Sequence, residues 1–67
     1  MTASTLTIEI TRTTNAATSH HWTVWLDNQL MGEGRCLGAE AAEEQAMDLV
    51  ADRIPAAQVD HLQIINR

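Results

Sequence analysis

The sequence predicts an α+β fold in the order β-β-β-α-β: a mostly antiparallel sheet of about four strands with one helix packed on one face. Three observations lead to this prediction. Apolar and polar residues alternate through the first half of the chain, as they do in half-buried strands. One later segment, rich in Ala and Glu, repeats its apolar residues at helical spacing, and a short β-branched segment follows it. With 67 residues the chain has room for one domain, residues 1–67, and a thin core.

The first strand is predicted at Thr5–Arg12. There Leu6, Ile8 and Ile10 alternate with polar residues, several of which are β-branched. The following residues, 13–19, are small and polar and have no periodic apolar face. They therefore read as a loop that reverses the chain.

The second strand is predicted at His20–Leu26, where Trp22 and Val24 fall on one face and Trp25 on the other. Both faces of this strand thus carry a large side chain. Trp25 is a candidate interface anchor, because exposed tryptophans often make the central contacts of protein interfaces. The alternative is that Trp25 covers the second face of the sheet.

A hairpin is predicted to join the second strand to a third at Gln29–Cys36. Asp27 and Asn28 suit the turn because both tolerate positive φ. Gly32 and Gly34 share one face of the third strand at a spacing of two. This spacing indicates a bulge, a strong bend or close approach by the following helix.

The helix is predicted at Ala39–Arg53, with Gly38 near its start and Pro55 ending it. Its apolar stripe consists of Ala39, Ala42, Ala46, Leu49 and Val50. Small alanines let a helix lie close to a sheet. The fourth strand is predicted at Val59–Ile65, with Leu62 and Ile64 on one face.

The charge of the chain limits its partners. Nine carboxylates oppose four arginines and no lysine, which gives a net charge of −5 and a pI near 4.8. Such a surface repels phosphate backbones and anionic lipids, so direct binding to nucleic acid or to a membrane is not expected. Its natural complement is a basic protein, including one whose own task is to hold nucleic acid. Because so small a chain buries only a small core, and a dimer would bury further apolar surface, either a monomer or a weak homodimer is reasonable.

The location follows from the cysteine count and the hydropathy. A lone cysteine, Cys36, cannot form an internal disulfide, and a reducing cytoplasm fits it best. Residues 1–7 carry no positive charge and no apolar signal segment. No stretch approaches the roughly 20 apolar residues of a membrane span. The protein is expected to be neither exported nor inserted.

A stripe of carboxylates on the predicted helix is the most informative feature. It consists of Glu40, Glu44, Asp48 and Asp52 at i,i+4 spacing, with Glu43 beside them. Like charges at this spacing destabilise a helix, and no lysine intervenes to relieve them. One interpretation is a solvated face. The other is a docking surface for an Arg/Lys groove that normally holds a nucleic-acid backbone, which Glu33 or Asp27 from the hairpin would widen.

The remaining polar residues give little support to catalysis. His20, His21 and His61 lack a second ligand pair at a known spacing, so no metal and no cofactor is predicted. Cys36 with a histidine is the minimum for a thiol nucleophile, but no local signature orients it, and a small buried thiol is the simpler interpretation. We therefore do not expect an enzyme.

The whole chain, with its acidic helix and the hairpin segment Trp22-Thr23-Val24-Trp25-Leu26-Asp27, resembles phage-encoded anti-CRISPR inhibitors, especially the small inhibitors of type I-C systems. Proteins of this kind are tiny, acidic and single-domain. Several are DNA mimics that occupy the basic site where the effector complex reads the protospacer-adjacent motif (PAM). The resemblance implies that the five helix carboxylates stand in for phosphates and dock against the effector's DNA-binding subunit in the host cytoplasm.

A second resemblance leads to a different function. The segment from Trp22 through Gly34, followed by an Ala/Glu-rich helix, looks like the β-β-β-α core of HicB-type antitoxin domains. This resemblance implies that the partner is a small basic ribonuclease toxin.

Overall fold

A computed structural model of the chain describes residues 4–13 and 19–67. The elements are β1 (Thr5–Arg12), β2 (His20–Leu26), β3 (Gln29–Cys36), α1 (Ala39–Arg53), a short 3₁₀ helix (Ala56–Gln58) and β4 (His61–Asn66). The bounds of β1, β2, β3 and α1 are those that the sequence predicts. β4 begins two residues later than predicted, because the N–H of Val59 donates to the carbonyl of Ala56 and so closes the 3₁₀ helix.

The four strands form one mixed sheet in the order β3-β2-β1-β4. β1 pairs antiparallel with β2, and β2 pairs antiparallel with β3, as short connections between consecutive strands require. The helix carries the chain back along the sheet, so that β4 pairs parallel with β1. The predicted α+β class and the order of its elements are confirmed.

The core lies between one face of the sheet and α1. β1 supplies its centre, with Leu6, Ile8 and Ile10 almost completely buried. The other buried residues are Trp22, Val24, Cys36, Ala42, Ala46, Val50 and Ile54. The alternation in β1 and β2 and the alanine stripe of α1 therefore predict the core correctly. Ile54 is a further core residue that the predicted apolar stripe of the helix does not include, because it lies one residue beyond the end of the helix.

Both glycines of β3 lie where another side chain comes close to the backbone. A Cβ built on Gly32 would collide with the Leu49 side chain of α1, and one built on Gly34 would lie 2.5 Å from Cζ2 of Trp22. A shift in the register between β2 and β3 occurs beside Gly32, at Val24/Trp25. Both the predicted close approach and the predicted bulge are present.

Ser19 ties the start of β2 to the start of α1. Its hydroxyl accepts a hydrogen bond from the N–H of Gly38 at 2.8 Å, and its carbonyl accepts one from Thr13 at 2.7 Å. Gly38 precedes the helix with a φ of 88°, a conformation that favours glycine. The predicted loop at 13–19 falls mostly on residues 14–18, which lie outside the described residues.

The helix covers the sheet unevenly, because its main contacts are with β1, β2 and β3. β4 lies at the edge, where Leu62 and Ile64 are 51% and 38% exposed. Over residues 4–13 and 19–67, no helix has the length and apolar character needed to cross a bilayer.

Candidate functional site

The candidate site is the outer side of α1. Successive helical residues are rotated by about 100°, so the side that buries Ala42, Ala46 and Val50 is opposite the middle of the carboxylate stripe. Glu40, Glu44, Asp48 and Asp52 occupy the solvent side, and Glu43 lies at its flank, beside the buried Val50; we call these five residues the acidic helix face. All five are exposed. Packing of the alanine stripe on the sheet thus fixes the direction in which the carboxylates point.

Nothing in the described part of the chain neutralises these carboxylates. Among residues 4–13 and 19–67, none of the five takes part in an ion pair or a side-chain hydrogen bond. The basic residue in the last turn of the helix is Arg53. Asp48 and Asp52 lie toward the helix C-terminus, where the macrodipole is unfavourable to anions. The charge pattern therefore lowers helix stability, which is expected if it serves a contact.

The spacing of the acidic helix face is regular. With a rise of about 1.5 Å per residue, carboxylates four residues apart are separated by about 6 Å along the axis. From Glu40 to Asp52 the stripe extends for roughly 18 Å. Each step of four residues also advances by about 40° around the axis, so the stripe winds slowly across the solvent side. The result is a rigid, evenly spaced row of negative charge.

Glu33 lies on a different surface. Its neighbours Gly32 and Gly34 face the helix side of the sheet, so the Glu33 side chain points to the face opposite the helix. There its Oε1 lies 3.9 Å from Nε2 of His21. Glu33 therefore does not widen the acidic helix face, although the sequence predicts that it could.

Asp27 is exposed at the β2–β3 turn and has a local structural role. It adopts a φ of 55°, its Oδ1 accepts a hydrogen bond from the N–H of Thr5 at 3.0 Å, and its own N–H donates to the Thr5 carbonyl at 2.8 Å. Asp60 does the same from the other side, where its Oδ2 accepts a hydrogen bond from the N–H of Ser4 at 2.9 Å. These two carboxylates fasten the start of β1.

Trp25 lies on the face of the sheet opposite the helix. It pairs with Thr7, between the buried positions Leu6 and Ile8, and so points away from the helix. Its side chain is half-buried, and its Nε1 donates to Oγ1 of Thr23 at 3.1 Å. Trp25 and the acidic helix face are therefore on opposite sides of the molecule and do not form one continuous site.

Two features of the helix surface are not apparent from the sequence. Gln45 accepts a hydrogen bond from Nε1 of the buried Trp22 at 3.2 Å, across the helix–sheet interface. An apolar groove of about 560 Å³ runs between α1 and β4, with Met47, Ile54 and Leu62 in its lining. No residue pattern in the sequence predicts this groove. It forms because the helix packs on β1, β2 and β3 and does not cover β4.

The groups considered for chemistry lie apart. Cys36 is buried, with its Sγ 3.8 Å from the Gly38 carbonyl oxygen. Nδ1 of His20 lies 2.7 Å from the Ser19 hydroxyl. In the described part of the chain, His, Cys, Asp and Glu side chains form no cluster of three that could hold a metal ion.

The comparisons with known proteins do not assign a family. No protein-family model matches the chain, and searches of curated protein sequences and of solved structures found no significant match.

Proposed function

We propose that this chain is an anti-CRISPR inhibitor that binds a CRISPR effector complex stoichiometrically through the acidic helix face. The five carboxylates take the place of DNA phosphates in a basic groove, on the PAM-reading large subunit of a type I-C complex, and block recognition of target DNA. The observation that supports this proposal most is the row of exposed, unneutralised carboxylates on a rigid helix.

The proposed contact is electrostatic in its physics. A basic groove that holds DNA is complementary to a row of negative charge, which the exposed carboxylates supply, and salt screens the attraction between the two surfaces. Complementary charge also speeds encounter and orients the two partners. Binding should therefore be tight at low salt and weaken steeply as salt rises. The site of action would be the cytoplasm of the host cell.

The proposal is tested with a purified type I-C effector complex, by pull-down and by gel shift with target DNA across a salt series. We expect the chain to bind the complex and to displace target DNA. Asp48→Lys should weaken binding by at least about 30-fold, since reversing one charge at such an interface costs about 2 kcal/mol or more. Circular dichroism should show that the variant keeps its fold, because Asp48 is exposed.

The matched control is Glu33→Lys. It changes the net charge by the same two units, but on the opposite face of the sheet. We expect Glu33→Lys to bind almost as well as the unaltered chain. Equal loss in both variants would mean that net charge alone drives association. Full binding by Asp48→Lys, or no association at any salt, would contradict the proposed docking surface.

A HicB-type antitoxin function is the second candidate. It is favoured by the antiparallel meander of β1, β2 and β3, followed by a helix that packs across β2 and β3. Here the partner would be a small basic ribonuclease. Inhibition of such a ribonuclease at one-to-one stoichiometry, with no effect on a CRISPR effector, would favour this function over the first.

A further inference from the structure

Within residues 4–13 and 19–67, β4 is an edge strand, and no other strand pairs with its outer side. The N–H of His61 donates to the Ser4 carbonyl at 3.2 Å, and the N–H of Arg67 donates to the Ile10 carbonyl at 2.9 Å. Alternate residues of a strand direct their amides to opposite sides. Since the odd-numbered residues bond toward β1, the N–H and C=O groups of Leu62 and Ile64 point out of the sheet.

The two edge strands of the sheet differ in how well they are protected against pairing with another chain. β3, at one edge, carries Glu33 and Arg35, two glycines and the register shift against β2. Charges and bulges of this kind discourage a strand from pairing with another chain. β4, at the other edge, has no Asp, Glu, Lys, Arg or Pro in His61–Asn66, and its register with β1 is unbroken. β4 is therefore the edge that is open to a further strand.

The side chains of β4 support the same conclusion. Leu62 pairs with Leu6 and Ile64 with Ile8, so both lie on the core side of the sheet. Because the helix does not cover β4, they remain 51% and 38% exposed, and Leu62 also lines the apolar groove. A strand added beside β4 would bury apolar area as well as satisfy the outward amides and carbonyls.

The local charge allows the added strand to come from a second copy of this acidic chain. Across residues 54–67 the acidic and basic side chains are Asp60 and Arg67, which cancel. The net charge of −5 therefore resides elsewhere, with five carboxylates on α1. The β4 edges of two copies can therefore come together without strong repulsion between the edges themselves.

We propose that β4 pairs with β4 of a second copy, antiparallel about a two-fold axis, and joins the two four-stranded sheets into one. In the register centred on Gln63, Leu62 of one copy lies opposite Ile64 of the other. Their outward N–H and C=O groups then bond directly, and their side chains share one face. The contact is small, so the dimer dissociates on dilution. It does not depend on the proposed inhibitory function, because the acidic helix faces take no part in it.

The first test is sedimentation equilibrium of the full chain over a concentration series, with Ile64→Lys and Leu37→Lys as a matched pair. Both variants replace an exposed apolar residue by lysine, and Leu37 is 65% exposed outside β4. The unaltered chain and Leu37→Lys should shift from monomer to dimer as concentration rises, and Ile64→Lys should stay monomeric. A chain that is monomeric at millimolar concentration, or a dimer that Ile64→Lys leaves intact, would overturn the proposal.

The second test needs no variant. In the monomer the outward amides of Leu62 and Ile64 should exchange rapidly with solvent, whereas those of Gln63 and Ile65 bond to β1. In the dimer, Leu62 and Ile64 should gain at least about tenfold protection, measured by NMR hydrogen exchange at high and low concentration. Self-association that leaves the exchange of these two amides unchanged would show that the copies meet through another surface.

Discussion

At the scale of single residues, the two glycines of β3 differ in the side chain that packs against them. Gly32 is in contact with the end of the Leu49 side chain, which can adopt other rotamers. Over Gly34 it is the indole of Trp22, with Cζ2, Cε2 and Nε1 all within 3 Å of a built Cβ. The indole is 5% exposed and bonds to Gln45, so it has little room to move.

We therefore predict that Gly34→Ala destabilises the fold more than Gly32→Ala. In Gly34→Ala, overpacking against the rigid indole should lower the free energy of unfolding by about 2 kcal/mol. In Gly32→Ala the loss should be about 1 kcal/mol or less, because Leu49 can change rotamer. Urea unfolding followed by tryptophan fluorescence measures both values. Equal losses in the two variants would mean that Trp22 adjusts as easily as Leu49.

At the scale of elements, α1 combines a good packing face with an unfavourable charge order. Glu40 lies in the first turn, where the helix macrodipole stabilises an anion, whereas Asp52 lies in the last turn, where it does not. Asp52 also repels Asp48 one turn earlier. Stability alone would favour a cation at position 52.

Asp52→Lys should accordingly stabilise the free chain, by about 0.5–1 kcal/mol at low salt, because it removes one repulsion and adds an attractive pair with Asp48. Glu40→Lys, at the other end of the helix, also removes a like-charge pair, with Glu44, but it loses the favourable interaction with the macrodipole, so it should stabilise the chain much less than Asp52→Lys or not at all. Thermal unfolding at low ionic strength measures both effects. If Asp52→Lys proved neutral or destabilising, the charges of α1 would not be acting on its stability as described.

At the scale of the whole molecule, the excess negative charge should make the fold sensitive to ionic strength. The net charge is −5, and five of the nine carboxylates lie on one helix. Salt screens repulsion between exposed like charges, and the Debye length falls to about 10 Å at 0.1 M. Repulsion of this kind lowers the stability of the folded free chain.

Raising the sodium chloride concentration from a few millimolar to 0.15 M, roughly the physiological value, should therefore raise the melting temperature, by an amount corresponding to about 0.5–1 kcal/mol. The double variant Glu44→Lys/Asp48→Lys, which removes most of the net charge, should show much less of this dependence. Calorimetry at matched protein concentration measures the difference. A melting temperature that falls with added salt would contradict the prediction.

Local structure follows from short-range patterns in the sequence. Alternation at Leu6, Ile8 and Ile10, the turn at Asp27 and the alanine stripe of α1 are short-range patterns, and the structure confirms the elements that they predict. The exposed carboxylates of α1 were also predictable, because a helix that buries one side must present the other.

Which residues share one continuous surface depends on the tertiary arrangement of the strands and the helix. Glu33 and Trp25 precede the helix in sequence but lie on the face of the sheet opposite it, since successive strand residues point to opposite sides. Leu62 and Ile64 have the pattern of core residues, yet they are exposed because β4 lies at the edge, beyond the reach of α1. Strand order and the position of the helix on the sheet depend on contacts between residues far apart in the chain, and local patterns do not encode them.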